Sequence, residues 1–297
     1  MPYIGSDIAR VEPFLHTRGG FFACLADTRG GARIFAKCIL SRGREARFWR
    51  TWRDGGIRAE GARYRLLPPD HAITGPIATV LFFPAHPALP ITGKRRIAAY
   101  AKHAHLAVRA LADFNSDHMD PALVGPFAGS GASGPPRAAR PRALERTYGF
   151  DRDTSLAAAA DLRAARNAWP AATAGLDTAP RCLCHLDLGR GNVIFERGKA
   201  TILDFGHAAI APAGADLHTV LRYTRADGSR RNRFAEIYAA EFARKDVEID
   251  PDLVRLAMEA RYAARYTDPG LPGARRRSVF LSALRTARTL AERTDSG

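Results

Sequence analysis

No stretch of this 297-residue chain approaches the roughly 18 consecutive apolar residues that a membrane-crossing helix requires. The longest clean run, Ile77 to Phe83, is strand-sized, so no membrane span is expected. Met1 to Asp7 carries no basic segment followed by an apolar one. A secretory signal is therefore not expected, and the cytoplasm is the default compartment. Cysteine is scarce, at positions 24, 38, 182 and 184. Cys182 and Cys184 form C-x-C rather than the C-x-x-C of zinc ribbons, and all four lie in apolar, strand-like surroundings, which reads as reduced core thiols. The phosphate-loop pattern G-x-x-x-x-G-K-[ST] is missing, since Gly93-Lys94 is followed by Arg95 and lacks the upstream glycine. Neither H-E-x-x-H nor G-x-S-x-G occurs, which excludes the common metalloprotease and esterase signatures.

Acidic residues are also in short supply: 30 against 45 basic ones, a formal net charge of +15. Between Arg29 and Arg65 eleven Arg or Lys face only Glu45, Asp54 and Glu60. Such a field attracts anions, from ATP and acidic metabolites to nucleic acid and membrane surfaces; an arginine- and alanine-rich compositional habit accounts for it equally well. Aromatic side chains do not alternate with the basic ones, so a nucleic-acid platform is not expected. Hydrophobic content of 46% with 25% charged residues describes an ordinary globular chain, long enough for one large core or two lobes.

What is present is concentrated in Cys184-His185-Leu186-Asp187-Leu188-Gly189-Arg190-Gly191-Asn192-Val193-Ile194-Phe195, followed by Ile202-Leu203-Asp204-Phe205-Gly206. An apolar strand delivers His185 and Asp187 into a loop, Asn192 leads into a second apolar run, and Asp204 ends a third. Phosphoryl transfer from a nucleotide needs this set: one carboxylate to orient and deprotonate an acceptor hydroxyl, and an amide oxygen with a second carboxylate to hold magnesium.

The stretch resembles the kinase catalytic loop and its Asp-Phe-Gly loop. Protein kinases read H-R-D-L-K-x-x-N, whereas Leu186 and Gly189 stand here at the arginine and lysine places. The wording is closer to the aminoglycoside phosphotransferase and choline kinase-like family, whose loop commonly runs H-G-D-L-H-P-G-N. Ala211-Pro212-Ala213-Gly214-Ala215-Asp216-Leu217 also resembles that family, which often carries a Pro and an Asp-Leu after the magnesium loop. Leu186, Gly189 and Arg190 depart from its usual Gly, His and Pro.

The resemblance implies an α+β, two-lobed protein-kinase-like fold, with a small antiparallel-sheet lobe over residues 1–86 and a larger, mainly helical lobe over 87–297. It implies an ATP-dependent phosphotransferase (GTP being possible in place of ATP) with Mg2+ as the metal. Asp187 would be the catalytic base, Asn192 and Asp204 the magnesium ligands, and His185 and Asp216 supports of the loop, Asp216 also capping a helix. Arg190 is either a phosphate or acceptor contact or a plain surface arginine. His207 is left unassigned.

Upstream, three strand-like runs are expected: Ile8 to Leu15, Phe21 to Ala26 and Ala32 to Leu40, separated by turns at 17–20 and 27–31. Gly19 and Gly20 would allow backbone amides close to nucleotide phosphates, or form an ordinary hairpin turn. Lys37, inside the third run, stands by resemblance where kinases grip the α- and β-phosphates. Its expected acidic partner is Glu45, with Glu60 as the fallback. Ser41 is a candidate helix N-cap, and Glu45, Trp49 and Trp52 then share one helical face. A strand over Ile77–Phe83 runs into a Pro-rich connector, where the family places its hinge. Helices are expected over Arg95–Phe114, Thr154–Trp169, Ala215–Tyr223, Phe234–Arg244, Asp252–Tyr266 and Ser278–Ala291. Asp120–Pro141 reads as a long lid, an acceptor loop or a disordered insertion.

Three functions fit: a small-molecule kinase acting on a hydroxyl of a sugar, amino alcohol or antibiotic; a kinase acting on a protein or anionic glycan; and a non-catalytic module on a kinase fold. A net +15 suits a neutral or acidic acceptor better than a polycationic one.

Overall fold

The structure, a computed structural model, describes residues 8–13, 22–84, 100–127, 134–224, 226–271 and 276–293. Gly19, Gly20, the Pro-rich connector, the start of the helix expected from Arg95 and part of the 120–141 segment lie outside these residues.

The first lobe is an antiparallel sheet in the order β1-β2-β3-β6-β5. Its strands are β1 (Ile8–Pro13), β2 (Phe22–Thr28), β3 (Arg33–Leu40), β5 (His71–Thr74) and β6 (Ala78–Pro84). In β3, Phe35, Lys37 and Ile39 alternate onto one face. Ala23 of β2 and Leu81 of β6 stand opposite Lys37, so the lysine rises from a small and apolar neighbourhood. Helix α1 (Arg44–Arg53) packs beside it, burying Glu45, Phe48 and Trp49. Its N-cap is Gly43, without a side-chain bond, which corrects the expectation for Ser41. The Ser41 hydroxyl instead donates to the Gly75 carbonyl at 2.7 Å and meets Thr79 Oγ1 at 2.9 Å. It ties the end of β3 to the β5–β6 turn and is therefore not available to the helix.

The second lobe is mainly helical around two small sheets. One pairs β7 (Arg181–Cys184) with β10 (Ala209–Pro212). The other has the order β4-β9-β8, with β8 (Val193–Glu196) and β9 (Lys199–Ile202) antiparallel and β4 (Tyr64–Leu66) parallel to β9. Arg197 and Gly198 both have positive φ, 49° and 78°, which gives the β8–β9 hairpin the twist its strands require. β4 and β5 are too short to leave a period in the sequence. Among the described residues the helices are α2 (Ala104–Asp117), α3 (Val124–Phe127), α4 (Pro141–Tyr148), α5 (Arg152–Ala172), α6 (His218–Thr224), α7 (Gly228–Ala243), α8 (Pro251–Tyr266) and α9 (Arg277–Glu292). The expected helical stretches match these to within a few residues, apart from α7, which begins six residues early, and α2, whose expected start at Arg95 lies outside the described residues. α4 went unread, hidden behind the proline that occupies its first turn. The described part of 120–141 carries structure of its own. Asp120 caps a short 3-10 turn over Pro121–Leu123, which continues into α3.

One core runs through both lobes. Phe205 is fully buried and stacks on Phe48 at 3.7 Å between centroids and 9° between planes. Trp49 and Phe114 meet it at 5.7 and 5.8 Å, and His185 at 4.8 Å. Contacts of this kind add about 1 kcal/mol each beyond the area they bury. The cluster thereby locks α1 of the first lobe onto the loop that carries Asp204.

His118, at the end of α2, anchors the second lobe. Its Nδ1 donates to the Phe114 carbonyl at 2.6 Å, its Nε2 accepts the Arg58 amide at 2.9 Å, and its carbonyl accepts the Leu183 amide of β7 at 2.9 Å. A proton on Nε2 would face another donor, and burial pushes the imidazole pKa down from 6.5 to about 4. A base with a depressed native pKa contributes stability that is complete above pH 6.5 and lost as pH falls towards 4. That difference amounts to about 3 kcal/mol. Urea unfolding between pH 7 and 4 should show wild type losing more stability than His118→Gln by about that amount; parallel profiles would remove His118 from this role.

Candidate functional site

The strand β7 ends at Cys184, and the chain then turns sharply. Leu186 adopts a left-handed backbone (φ 59°) with its side chain fully buried. For a leucine this conformation costs about 1–2 kcal/mol. Asp216 holds it there: its carboxylate accepts the His185 amide at 3.0 Å, the Leu186 amide, and Asn115 Nδ2 at 3.0 Å. Asn115 in turn donates to the Leu183 carbonyl at 2.8 Å and accepts from the Tyr238 hydroxyl at 2.6 Å. Asp216 does not cap a helix; Gly214 occupies that position, with φ 93°. A Cβ at Gly214 would lie 2.7 Å from the Val254 carbonyl oxygen, so only glycine lets this turn sit against α8.

His185 shapes the loop from beneath. Its Nδ1 accepts the Asp187 amide at 3.1 Å, and its Nε2 donates to the Leu203 carbonyl at 2.8 Å. Both nitrogens are thereby used on backbone groups. The Leu203 amide donates to the Asn192 carbonyl at 2.9 Å, joining the loop before β8 to the loop after β9. Asn192 Nδ2 donates to the Asp187 carbonyl at 2.8 Å and approaches Asp187 Oδ2 at 3.4 Å. The amide is thereby oriented, and Asn192 Oδ1 has no hydrogen bond among the described residues.

Lys37, Glu45 and Asp204 converge from three separate elements. Lys37 Nζ is 2.7 Å from Glu45 Oε2 and 3.0 Å from Asp204 Oδ1. Burial works against the lysine charge, but Glu45 and Asp204 outweigh it and hold its pKa above the ordinary value. Burial, together with the nearby Asp204 charge, raises the Glu45 carboxyl to about 7 in spite of Lys37. Asp204 is desolvated too, yet Lys37, His185 and the Gly206 amide bring its carboxyl below the usual range. Its backbone is left-handed (φ 61°), which an aspartate tolerates better than most residues. Its side chain remains 47% exposed, and Oδ2 makes no bond among the described residues. Glu60, the fallback partner, lies elsewhere and pairs with Lys199 at 2.6 Å and Arg65 at 3.2 Å.

Several neighbours of Asp187 had no signal in the sequence. Arg265, in the last turn of α8, reaches Asp187 Oδ1 at 3.5 Å. The Arg222 guanidinium lies 5.1 Å from the Tyr223 ring and 5.3 Å from that of Tyr266. Burial opposes its charge, while Tyr266, Tyr223 and Asp187 together raise its pKa. His218 is fully buried and its pKa is pushed well down, first by burial and then by Arg265, Arg261 and Arg222. His207 is also depressed by burial, with Asp187 acting against that. Tyr223 crosses the loop so closely that a Cβ at Gly189 would meet its hydroxyl at 3.0 Å; a larger residue there requires the tyrosine to shift. Arg190 is half-buried and makes no ion pair with any described residue.

The site has the donor set of a hard divalent cation. Asp204 Oδ2 and Asn192 Oδ1 are oxygens without a hydrogen bond among the described residues, where no group of three or more His, Cys, Asp or Glu could hold a metal. Mg2+ suits such a partial set, because it takes one or two carboxylates and completes its shell with water and phosphate oxygens.

The model of the family described as "Phosphotransferase enzyme family" matches residues 45–257. Among solved structures, a spectinomycin phosphotransferase in complex with ADP and spectinomycin aligns at a TM-score of 0.53 and 14% identity, covering 98% of this chain and 94% of that one. A choline kinase from Streptococcus pneumoniae aligns at 0.52 and 12%, covering 96% and 95%. An amicoumacin kinase in complex with AMP-PNP and Ca2+ aligns at 0.52 and 11%, covering 95% and 88%. No curated protein matches the chain in sequence. The structural likenesses, at these identities, establish the two-lobed kinase-like fold alone. The family match spans well over half of the chain and includes the loops that carry Asp187, Asn192, Asp204 and Asp216: the chain belongs to the phosphotransferase enzyme family.

Proposed function

We propose that this protein transfers the γ-phosphate of ATP to a hydroxyl group of a small molecule, neutral or acidic in character. The observation that carries the reading is the convergence of Lys37, Glu45 and Asp204, with Nζ–O distances of 2.7 and 3.0 Å, next to a loop that presents Asp187 and an oriented Asn192. Structural neighbours described as kinases and phosphotransferases, some in complex with ADP or AMP-PNP, support the same reading. Residues 1–86 and 87–297 would be the two lobes, with β4 reaching across to β9, and the cytoplasm would be the compartment.

In this reading Lys37 contacts the nucleotide phosphates, and Glu45 holds it in place. Gly19 and Gly20 are assigned to the phosphate-covering turn from sequence alone. Asn192 and Asp204 would hold Mg2+, which supplies neutralisation of the phosphate charge. Asp187 receives the acceptor's proton as the new O–P bond forms and the bond to the β-phosphate oxygen breaks; ADP leaves with that electron pair, and the products are ADP and a phosphate ester. In a loose transition state the proton moves late, so the carboxylate acts chiefly by orienting the hydroxyl. His185 and Asp216 act through the loop and do not exchange protons with substrate.

The first test measures ATP consumption and phosphorylated product across a panel of hydroxyl compounds. Asp187→Ala and Asp204→Ala should each lower turnover by about a hundredfold or more; turnover unchanged by both refutes the assignment. A second test separates binding from chemistry. Lys37→Met should raise the KM for ATP and lower kcat. Glu45→Gln keeps the shape but removes the counter-charge, and should lower kcat/KM by roughly tenfold, about 1.4 kcal/mol. Wild-type kinetics in Glu45→Gln would remove this carboxylate from the site.

A further inference from the structure

The second lobe offers a cavity of about 550 Å3 between α6, α7, α8 and α9. Arg222, Arg231 and Arg285 line it, together with Tyr262 and hydroxyl groups from Ser278, Ser282, Thr286 and Thr289. Its two carboxylates are already engaged. Glu259 binds Arg231 at 3.2 Å and Arg293 at 3.2 Å, and Asp227 caps α7 by accepting the Arg230 amide and the Ser229 hydroxyl. Arg222 and Arg285 have no carboxylate partner among the described residues. Arg222 is shared between the cavity and the Asp187 neighbourhood, where Arg265 stands 3.5 Å from the aspartate.

Cationic acceptors require acidic walls, because a desolvated ammonium next to guanidinium groups is repelled. The walls here carry the opposite sign. A guanidinium fork also matches a carboxylate or phosphate oxygen pair in a way that a lone ammonium does not. From this arrangement, and resting on the phosphotransfer reading above, we infer that the acceptor is a hydroxyl compound bearing a carboxylate or phosphate group. Arg222 and Arg265 receive that anionic group next to Asp187, and Arg285 extends the same subsite into the cavity. The acceptor hydroxyl then meets Asp187 while its own negative charge releases Arg265 from the aspartate. Neither arginine takes part in bond making; both bind the anionic group of the acceptor.

The experiment uses the full chain with ATP and Mg2+ and compares matched probes. Gluconate and glycerol 3-phosphate represent the anionic class, glucose and glycerol the neutral one, and choline and kanamycin the cationic one. ADP release and the mass of the phosphorylated product give kcat/KM, and the melting temperature of the ADP complex gives binding of each probe. The expected result is a kcat/KM at least tenfold higher for an anionic probe than for its neutral counterpart, with no use of the cations. Arg222→Gln and Arg265→Gln should raise the KM for the anionic probe at least tenfold with a smaller change in kcat, and Arg222→Lys should restore part of it. That split, and a fall in the anionic-to-neutral preference, distinguish a charge contact from a general loss of structure. Preference for neutral or cationic probes overturns the inference. So does an unchanged preference in both glutamine variants, or a protein that hydrolyses ATP yet neither phosphorylates nor is stabilised by any anionic probe. A chain that binds no ATP overturns the phosphotransfer reading instead, which the Asp187→Ala and Asp204→Ala comparison detects separately.

Discussion

The buried carboxylate of Asp216 organises everything around it. A charge of this kind costs several kcal/mol to bury unless its lone pairs are satisfied, and here three N–H donors satisfy it: the amides of residues 185 and 186 and the side chain of Asn115. Two of those donors can reach only if the chain turns left-handed at Leu186. The carboxylate therefore selects an unfavourable backbone conformation, and that conformation points Asp187 away from the strand that delivers it. The family's usual glycine would adopt the turn without strain. In this chain a fully buried leucine occupies it, and the burial of its side chain, worth about 2–3 kcal/mol, offsets the backbone cost.

From Asp216 the constraint spreads through contacts that each have two functions. Asn115 links the carboxylate to β7 and to Tyr238 of α7. His185 spends both ring nitrogens on the backbone, and its ring packs against Phe205. Phe205 then stacks on Phe48, so the loop bearing Asp204 and the helix bearing Glu45 move as one body. The Lys37–Glu45–Asp204 trio is the polar counterpart of that stack. Apolar burial brings the two lobes together, and the three charges set their registration at a site where a looser fit would leave a carboxylate unpaired.

The charge pattern divides into two regions with different consequences. Near Lys37 one cation meets two carboxylates, and burial raises the Glu45 carboxyl pKa to about 7. Near Asp187 stand Arg222 of α6 and Arg265 of α8, and the pKa of buried His218 is pushed down first by burial and then by the surrounding arginines. The +15 of the whole chain could have been spread evenly over the surface. Instead part of it is gathered around Asp187, where Arg265 stands 3.5 Å from the carboxylate.

Local order was legible in the sequence wherever neighbours in the chain are also neighbours in space. The strands on either side of Asp187 and Asp204, the alternation that isolates Lys37 on one face, the i, i+4 relation of Glu45 and Trp49, and most helices follow from side-chain periodicity and short-range backbone bonding. The two-lobed family fold followed from the motif that these elements carry. What sequence could not indicate depends on contacts between distant segments. The 167-residue separation of Lys37 and Asp204, the parallel pairing of Tyr64–Leu66 with β9, the diversion of Ser41 from helix capping, and the placing of Arg222 and Arg265 beside Asp187 all depend on how α1, α6 and α8 pack. Packing is decided by the summed shape and burial of many residues, none of which carries a periodic mark of its own. The chemistry-bearing loop is therefore written locally, while the surroundings that give it a charge and an acceptor exist only in the folded chain.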